Sequence, residues 1–550
     1  MGAAGGAAET LTVRAPDTGE EIGRVPVHGP DEVRAMARTG REAGRAWAER
    51  PPEDRALHLS RLRRRIVERM DDVAETVARE TGKTLVDVHV GEIHPACDHL
   101  AWVANHAPEV LEPRTHRVLG PGTHRGRVVP EPYGLAGIIT PWNFPFVIST
   151  GAAAAALAAG NAVLLKPSEL TPFSSLVLEE LAADVLPDPD LLQVATGAGG
   201  TGRAVVDAPV DVLSFTGSVA TGRKVMEAAA RHLTPVTLEL GGKDAMIVLE
   251  DADLERTAAG AVWGAFFHAG QICQSVERCL VHRSVYDRFL ELVVEETGRL
   301  RTGPRSEDPD LGALTRPEQI DVVEAHVEDA RESGARVLAG GRRLEGPGRF
   351  FEPTVLADVT PEMDVFRDET FGPVLPVLPF DDEEEAVRLA NDTRYGLDAY
   401  VWTSDRERGR RLGRRLEAGS VMLNDCITNY GLPDLPFGGV KESGFGRAHG
   451  EEGLRAFSRT RSEAERRFPL EREPHWFPGA RRAPWSRALV KMLHGRGIGD
   501  RLAGLLELVR GDDDETTGPA GGAGARRGVG QATAYGGDPD VEGEERPEEG

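Results

Sequence analysis

Short apolar runs that alternate with helix-length segments constrain this chain more than any other feature. Leu135-Ala136-Gly137-Ile138-Ile139 ends at Thr140-Pro141-Trp142-Asn143-Phe144-Pro145, and an Ala-rich helix is expected from Ser149 to Ala159. A second run, Ala162 to Leu165, ends at Lys166-Pro167-Ser168-Glu169. Strand, helix and strand of these lengths form a parallel βαβ unit, whose functional groups lie at the carboxyl ends of the strands. The alternation continues with a helix near Ser174 to Asp184, a run at Leu191 to Ala195, a Gly-rich turn at Gly197 to Gly202 and a strand at Val212 to Phe215. Thr216-Gly217-Ser218 comes after that strand and opens another helix. The texture is that of a doubly wound α/β nucleotide-binding domain, although its glycines do not form GxGxxG, and the GSxxxG at 217–222 carries little by itself.

Upstream, residues 1–10 read as disordered and 11–27 as a hairpin, with helices from Asp31 to Glu49 and from Glu53 to Glu80. Gly82-Lys83-Thr84 resembles the end of a phosphate loop, but the glycine required five positions earlier is Val77. His89, His94, His99 and His106 fall at spacings that do not share one helical face, so no metal site is expected. Residues 114–134 are rich in Gly, Pro, Arg and His, with Arg125 to Val129 alternating as an exposed strand would, and read as a hairpin. Downstream of residue 273 a second α/β unit is expected, with helices from Tyr286 to Leu300, Gln319 to Gly334 and Asp382 to Asn391.

Between these halves lies Glu239 to Arg278, with a carboxylate beside Gly241-Gly242 and, 34 positions on, Cys273 behind Ala269-Gly270-Gln271-Ile272. A thiol nucleophile and a carboxylate able to activate water suffice for covalent acyl chemistry. A lone buried Cys is more often a small hydrophobe and a lone Glu a solvated one, so spacing alone leaves both readings open. The other cysteines, Cys97, Cys279 and Cys426, fit neither a zinc site nor a disulfide framework. With 550 residues, two or three domains are expected, and a net charge of −24 argues against a nucleic-acid partner. The first ten residues lack the features of a signal peptide, and no run of 18 apolar residues occurs, so a cytoplasmic location is expected.

Seven motifs in order carry a resemblance: Pro141-Trp142-Asn143-Phe144-Pro145, Lys166-Pro167-Ser168-Glu169, Phe215-Thr216-Gly217-Ser218, Glu239-Leu240-Gly241-Gly242-Lys243, Gly270-Gln271-Ile272-Cys273, Glu369-Thr370-Phe371-Gly372-Pro373 and Pro436-Phe437-Gly438-Gly439. Over about residues 10–465 the chain resembles the aldehyde dehydrogenase superfamily, and Ile272 to Arg278 with His449 to Leu454 resembles a bacterial branch that includes some succinate-semialdehyde dehydrogenases. The resemblance implies a Rossmann-like cofactor domain at 11–113 and 135–239 and an α/β catalytic domain at 240–454. It also implies a small β oligomerisation arm at 114–134 and 455–470 that builds a homodimer or homotetramer.

On the same resemblance Cys273 is the nucleophile, giving a thiohemiacetal and then a thioester. Asn143 and the Cys273 N–H stabilise the oxyanion, such a donor being worth about 3 kcal/mol, and Glu239 activates the hydrolytic water. Members that use coenzyme A lack that glutamate, so release of a free acid is expected. Lys166 and Glu169 would hold the adenosine ribose, and Ser218 with nearby N–H groups the pyrophosphate. Thr140, Pro141, Trp142, Ser168, Gly217 and Gly241 complete the cofactor contacts. Glu369 would bond the nicotinamide ribose, and Phe371 would pack beside the ring. The carboxylate of Glu169 favours NAD over NADP. Where relatives carry an aromatic or an arginine, this chain has Gly151, followed by Ala152 where lysine is frequent. A wide substrate tunnel lined by Phe144, Gly151 and Phe437 is therefore expected, suited to a bulky or medium-to-long apolar aldehyde rather than succinate semialdehyde. A non-catalytic binding protein on this fold is the alternative of another class.

Residues 471–510 read as an amphipathic extension, in which Trp485 to Val509 mixes leucines with Arg and Lys. Packing on the protein's own surface is favoured there over a membrane. Residues 511–550, acidic and rich in Gly and Pro, read as a disordered tail.

Overall fold

The computed structural model describes residues 9–116, 124–468, 471, 476–477 and 483–510. The tail at 511–550 and all but Glu9 and Thr10 of the first ten residues lie outside them. Thr10 itself already pairs in the opening strand Thr10–Arg14, antiparallel to Glu21–Pro26. Two compact units emerge, one of residues 1–116 and 126–464, the other of 117–125 and 465–550.

The first unit holds two open sheets. One has six strands, with the order Gly444–Phe445, Val236–Glu239, Val212–Thr216, Leu135–Ile139, Ala162–Lys166 and Leu192–Val194. All its pairings are parallel except the first. The chain moves one way from Leu135–Ile139 through two helical crossovers, then returns to its other side with Val212–Thr216. The topological switch therefore lies between those two strands, the position where such sheets take ligands. The inner strands are buried on both faces, which is why they read as unbroken apolar runs.

The other sheet has seven strands, in the order Arg336–Ala339, Thr354–Ala357, Val374–Phe380, Val276–His282, Asp244–Val248, Asp398–Trp402 and Ser420–Leu423. Only the Arg336–Ala339 edge strand is antiparallel. Gly444–Phe445, expected with the second α/β unit, belongs instead to the first sheet. It pairs Gly444 with Glu239.

Three strands, Arg114–His116, His124–Pro132 and Ser458–Arg466, form a small separate sheet with His124–Pro132 in the middle. Glu131 ties that middle strand to Ser458–Arg466 through ion pairs to Arg459 and Arg461.

Several helices differ from their sequence pattern. The long helix expected over 53–80 is two, Pro52–Glu68 and Met70–Thr81, broken at Arg69. The Ala-rich helix starts four residues early, at Pro145, because proline at the first position costs no hydrogen bond there. The Gly-rich stretch at 197–202 is largely the first turn of a helix, Gly199–Asp207.

In the second unit the amphipathic extension is a pair of helices, Ala483–His494 and Ile498–Arg510, packed on each other and joined by Lys491 and Glu507 at 2.7 Å. No described helix is long and apolar enough to cross a membrane.

Candidate active site

Glu239 ends a strand of the six-stranded sheet, and hydrogen bonds fix both it and the turn at Leu240-Gly241. Its carbonyl accepts from Gly217 N–H at 3.0 Å, while Leu240 N–H donates to the Ser443 carbonyl at 3.0 Å. The Ser443 hydroxyl in turn donates to the Gly241 carbonyl at 2.6 Å. The Gly241-Gly242 pair has a steric cause. A Cβ at 241 would stand 2.6 Å from a Glu369 carboxylate oxygen, and one at 242 would stand 2.3 Å from the Cys273 carbonyl. The glycines thus allow the strand end to touch both the Glu369 turn and the Cys273 loop.

The Cys273 loop departs from ordinary backbone geometry. His268, Ala269 and Gly270 have φ of 50°, 52° and 71° in succession, and a Cβ at 270 would meet the Gly372 carbonyl at 2.1 Å. Left-handed conformations at non-glycine residues are costly and need surrounding support. Gln271 gives that support: its amide donates to His268 and Ala313 carbonyls, and its oxygen accepts from Thr315 N–H at 2.7 Å. Asn143, at the carboxyl end of the first strand of the βαβ unit, donates one amide hydrogen to the Gln271 carbonyl at 2.9 Å. The second amide hydrogen remains for another acceptor.

Asn143, Glu239 and Cys273 all line one cavity of about 590 Å³. Both carboxylate oxygens of Glu239 lack a hydrogen-bond partner among the described residues. Burial holds its carboxyl well above the usual carboxylate range, opposed by the charge of Arg447. Burial, reinforced by the carboxylates of Asp244, Glu369, Asp398 and Glu239, likewise raises the Cys273 thiol well above its ordinary value. Both shifts favour the neutral, protonated form of each group.

The cavity spans two surroundings. Toward the switch point it is lined by Pro141, Trp142, Gly217, Ser218, Glu369 and Phe371, together with Gly241. Trp142 meets Phe371 edge-on at 5.4 Å. Ser218 caps the helix Val219–Ala230, accepting from Thr221 N–H at 3.3 Å, so the free donors at this helix start are backbone groups. Glu369 accepts from Gly242 N–H at 3.0 Å, and burial pushes its carboxyl up to about 8.

Thr140, Lys166, Ser168 and Glu169 do not line this cavity. Thr140 bonds Ser149, Ser168 accepts from Leu170 N–H, and the buried Lys166 ammonium stands 3.4 Å from Glu169 at the end of the next strand. Strand ends, glycine contacts and helix N–H groups at the switch point fit a dinucleotide.

Around Cys273 the wall is apolar. Trp263 packs on Phe267 at 5.4 Å and Phe267 on Phe144 at 6.1 Å, and Ile148, Tyr430 and Leu432 extend the lining. Gly91 makes room for this ladder, since a Cβ there would stand 2.9 Å from both phenylalanine rings.

The expected tunnel needs correction. Phe144 lines the cavity, but Gly151 and Phe437 do not. The space beside Gly151 is filled by His99, whose ring nitrogen would lie 3.0 Å from a Cβ, with His449 behind it. Phe437 is buried edge-on against Tyr430 at 5.1 Å. The absent side chain at 151 is thus replaced by a histidine pair, with ring centroids 3.9 Å apart, rather than by open space.

Two buried ion pairs are not evident in the sequence. Lys243 and Glu277, 2.5 Å apart, pin the Glu369 turn, because Glu277 also accepts from Thr370 and Phe371 N–H groups. Lys83 and Glu92, also 2.5 Å apart, pin the start of the helix at Pro145, where Glu92 accepts from Phe146 and Val147 N–H groups. The one clue is Glu277-Arg278 inside an otherwise apolar strand run.

Known proteins resemble the chain over most of this architecture. A model described as the aldehyde dehydrogenase family matches residues 4–462. A 4,4'-diapolycopene aldehyde oxidase of a Methylomonas species is 43% identical over 475 residues, which cover 85% of this chain and 88% of that protein. The NADP(+) succinate-semialdehyde dehydrogenase of Escherichia coli is 38% identical over 452 residues, covering 81% and 92%. Among solved structures, an NAD-dependent aldehyde dehydrogenase from Sinorhizobium meliloti aligns with a TM-score of 0.82 at 37% identity, covering 85% of this chain and 93% of that one.

Proposed function

The chain belongs to the aldehyde dehydrogenase family and is an NAD(P)-dependent aldehyde-oxidising enzyme, and on that premise we propose that Cys273 is its nucleophile, Glu239 its hydrolytic base and Asn143 its side-chain oxyanion donor. The observation that carries this assignment is the Glu239 carboxyl, buried and unpartnered in the same cavity as Cys273. An unsatisfied buried carboxyl is costly, and here a water poised to attack the carbonyl carbon of an acyl group on Cys273 would satisfy it.

The Cys273 thiol gives its proton to water in the cavity, or to Glu239 when that carboxyl is ionised, before its sulfur attacks the aldehyde carbon. The resulting oxyanion lies against the free amide hydrogen of Asn143 and the Cys273 N–H, which has no intramolecular acceptor among the described residues. A bound NAD(P) supplies the hydride acceptor. The acyl group is left as a thioester on Cys273. Glu239, once ionised, takes a proton from water as its oxygen attacks that thioester, and the carboxylic acid leaves as the thiol re-forms.

Pro141, Trp142, Gly217, Gly241, Glu369 and Phe371 would hold the nicotinamide end of the cofactor. Thr140, Lys166, Ser168 and Glu169 would hold its adenosine end. Glu169 beside Lys166 supports NAD over NADP, because a carboxylate repels a 2′-phosphate.

For the substrate, the reading is a bulky or medium-to-long apolar aldehyde. The Trp263–Phe267–Phe144 wall supports it. The sole lysine or arginine lining the cavity among the described residues is Arg316, which is exposed and paired with Glu318. The name of the Methylomonas relative, 4,4'-diapolycopene aldehyde oxidase, supports an aldehyde other than succinate semialdehyde. Steady-state kinetics over an aldehyde series with NAD and NADP test the reading. A kcat/KM for decanal and longer or aromatic aldehydes at least 10-fold above that for succinate semialdehyde is expected, and the reverse order overturns the substrate assignment.

A further inference from the structure

The second unit is built inside out. Its helices Ala483–His494 and Ile498–Arg510 meet through small residues: Ala488 is buried, and a Cβ at Gly504 would stand 2.4 Å from Met492 N and 2.7 Å from the Ala488 carbonyl. Most of the large apolar residues of the second helix lie outside this contact. Ile498, Leu502, Leu505, Leu506 and Val509 recur at helical spacing as a single stripe, and all are 44% or more exposed. Ten of the twenty-four large apolar side chains exposed among the described residues fall in this unit, although it supplies under a tenth of those residues. Three are aromatic, Phe468, Trp476 and Phe477, and precede the helices.

Charge is inverted as well. The chain carries −24, yet residues 483–510 hold Arg487, Lys491, Arg496, Arg501 and Arg510 against only Asp500 and Glu507. Small residues between helices, an outward apolar stripe, flanking aromatics and a basic surplus together match a hairpin that lies in the headgroup region of a bilayer. Neither helix is long and apolar enough to span one.

We propose that the helices Ala483–His494 and Ile498–Arg510 form a monotopic docking element that seats the enzyme on a membrane surface containing anionic lipid. The apolar stripe enters the acyl boundary, and the arginines meet lipid phosphates. Seating the enzyme there brings it to the phase in which an apolar aldehyde concentrates. That consequence rests on the substrate reading above, whereas the docking itself does not.

The test is vesicle flotation of the full-length protein, with phosphatidylglycerol/phosphatidylcholine vesicles and pure phosphatidylcholine vesicles. Leu502→Asp/Leu505→Asp, two exposed positions, is the companion variant. Expected are flotation with the anionic vesicles, at least 10-fold weaker binding to phosphatidylcholine, and loss of flotation in the variant with unchanged kcat/KM for a short soluble aldehyde. Absence of flotation with anionic vesicles overturns the proposal. So does a variant that floats as well as the parent, or one whose only change is a smaller oligomer by light scattering, which would make the stripe a contact between copies. None of these outcomes depends on which aldehyde the enzyme prefers.

Discussion

Burial favours the protonated forms of Glu239 and Cys273, and that sets the direction in which activity responds to pH. A carboxyl held above its ordinary range is an effective base only once ionised, so turnover rises with pH through the raised Glu239 value. Arg447 opposes that rise, so Arg447→Met is expected to move the rising limb of the kcat profile to higher pH. A limb that stays in place would remove Arg447 from this role. Asn143→Ala leaves the oxyanion only the backbone donor and is expected to lower kcat by roughly 10²- to 10³-fold, the cost of one such donor, as steady-state kinetics would read it.

At the scale of elements, the chemistry depends on segments that touch where only glycine fits. A methyl at Gly270 would be driven into the Gly372 carbonyl, and the same residue holds a φ of 71°. Gly270→Ala is expected to destabilise the fold by about 2–4 kcal/mol, read from chemical denaturation. The buried pair Lys83–Glu92 presents the opposite case, since Glu92→Gln leaves an uncompensated ammonium beside Phe144 and is expected to cost about 3–5 kcal/mol. A loss under about 1 kcal/mol would show that the pair is not what fixes the helix start.

This is also the scale at which sequence and structure part. The parallel strands are legible because burial on both faces leaves plain apolar runs, and Asn143, Glu239 and Cys273 stand at their ends or in motifs. Contacts between distant segments are not legible, because periodicity carries no information about them. His99 fills the space beside Gly151 from a helix some fifty residues earlier, and Glu92 holds a helix start that lies beyond a different strand. The expected tunnel fails for that reason. A missing side chain reads as open volume when nothing in the sequence says what packs against it.

For the whole molecule, the two sheets and the loop between them form a reaction chamber that is polar toward the switch point and aromatic around Cys273. The basic hairpin is a separate physical problem, an apolar stripe without cover among the described residues of an otherwise acidic protein. Raising salt should weaken its attachment to anionic vesicles while leaving turnover of a soluble aldehyde little changed, since surface charge is screened and the buried cavity is not.

The division of labour between Cys273 and Glu239 is open to direct measurement. Intact and peptide mass spectrometry of Glu239→Gln, mixed with NAD and decanal, reads it in one measurement. The expected result is a single burst of reduced cofactor, a steady rate at least 10³-fold below the parent, and a persistent added acyl mass on the Cys273 peptide. A variant that turns over normally, or that stalls with Cys273 unmodified, would contradict it.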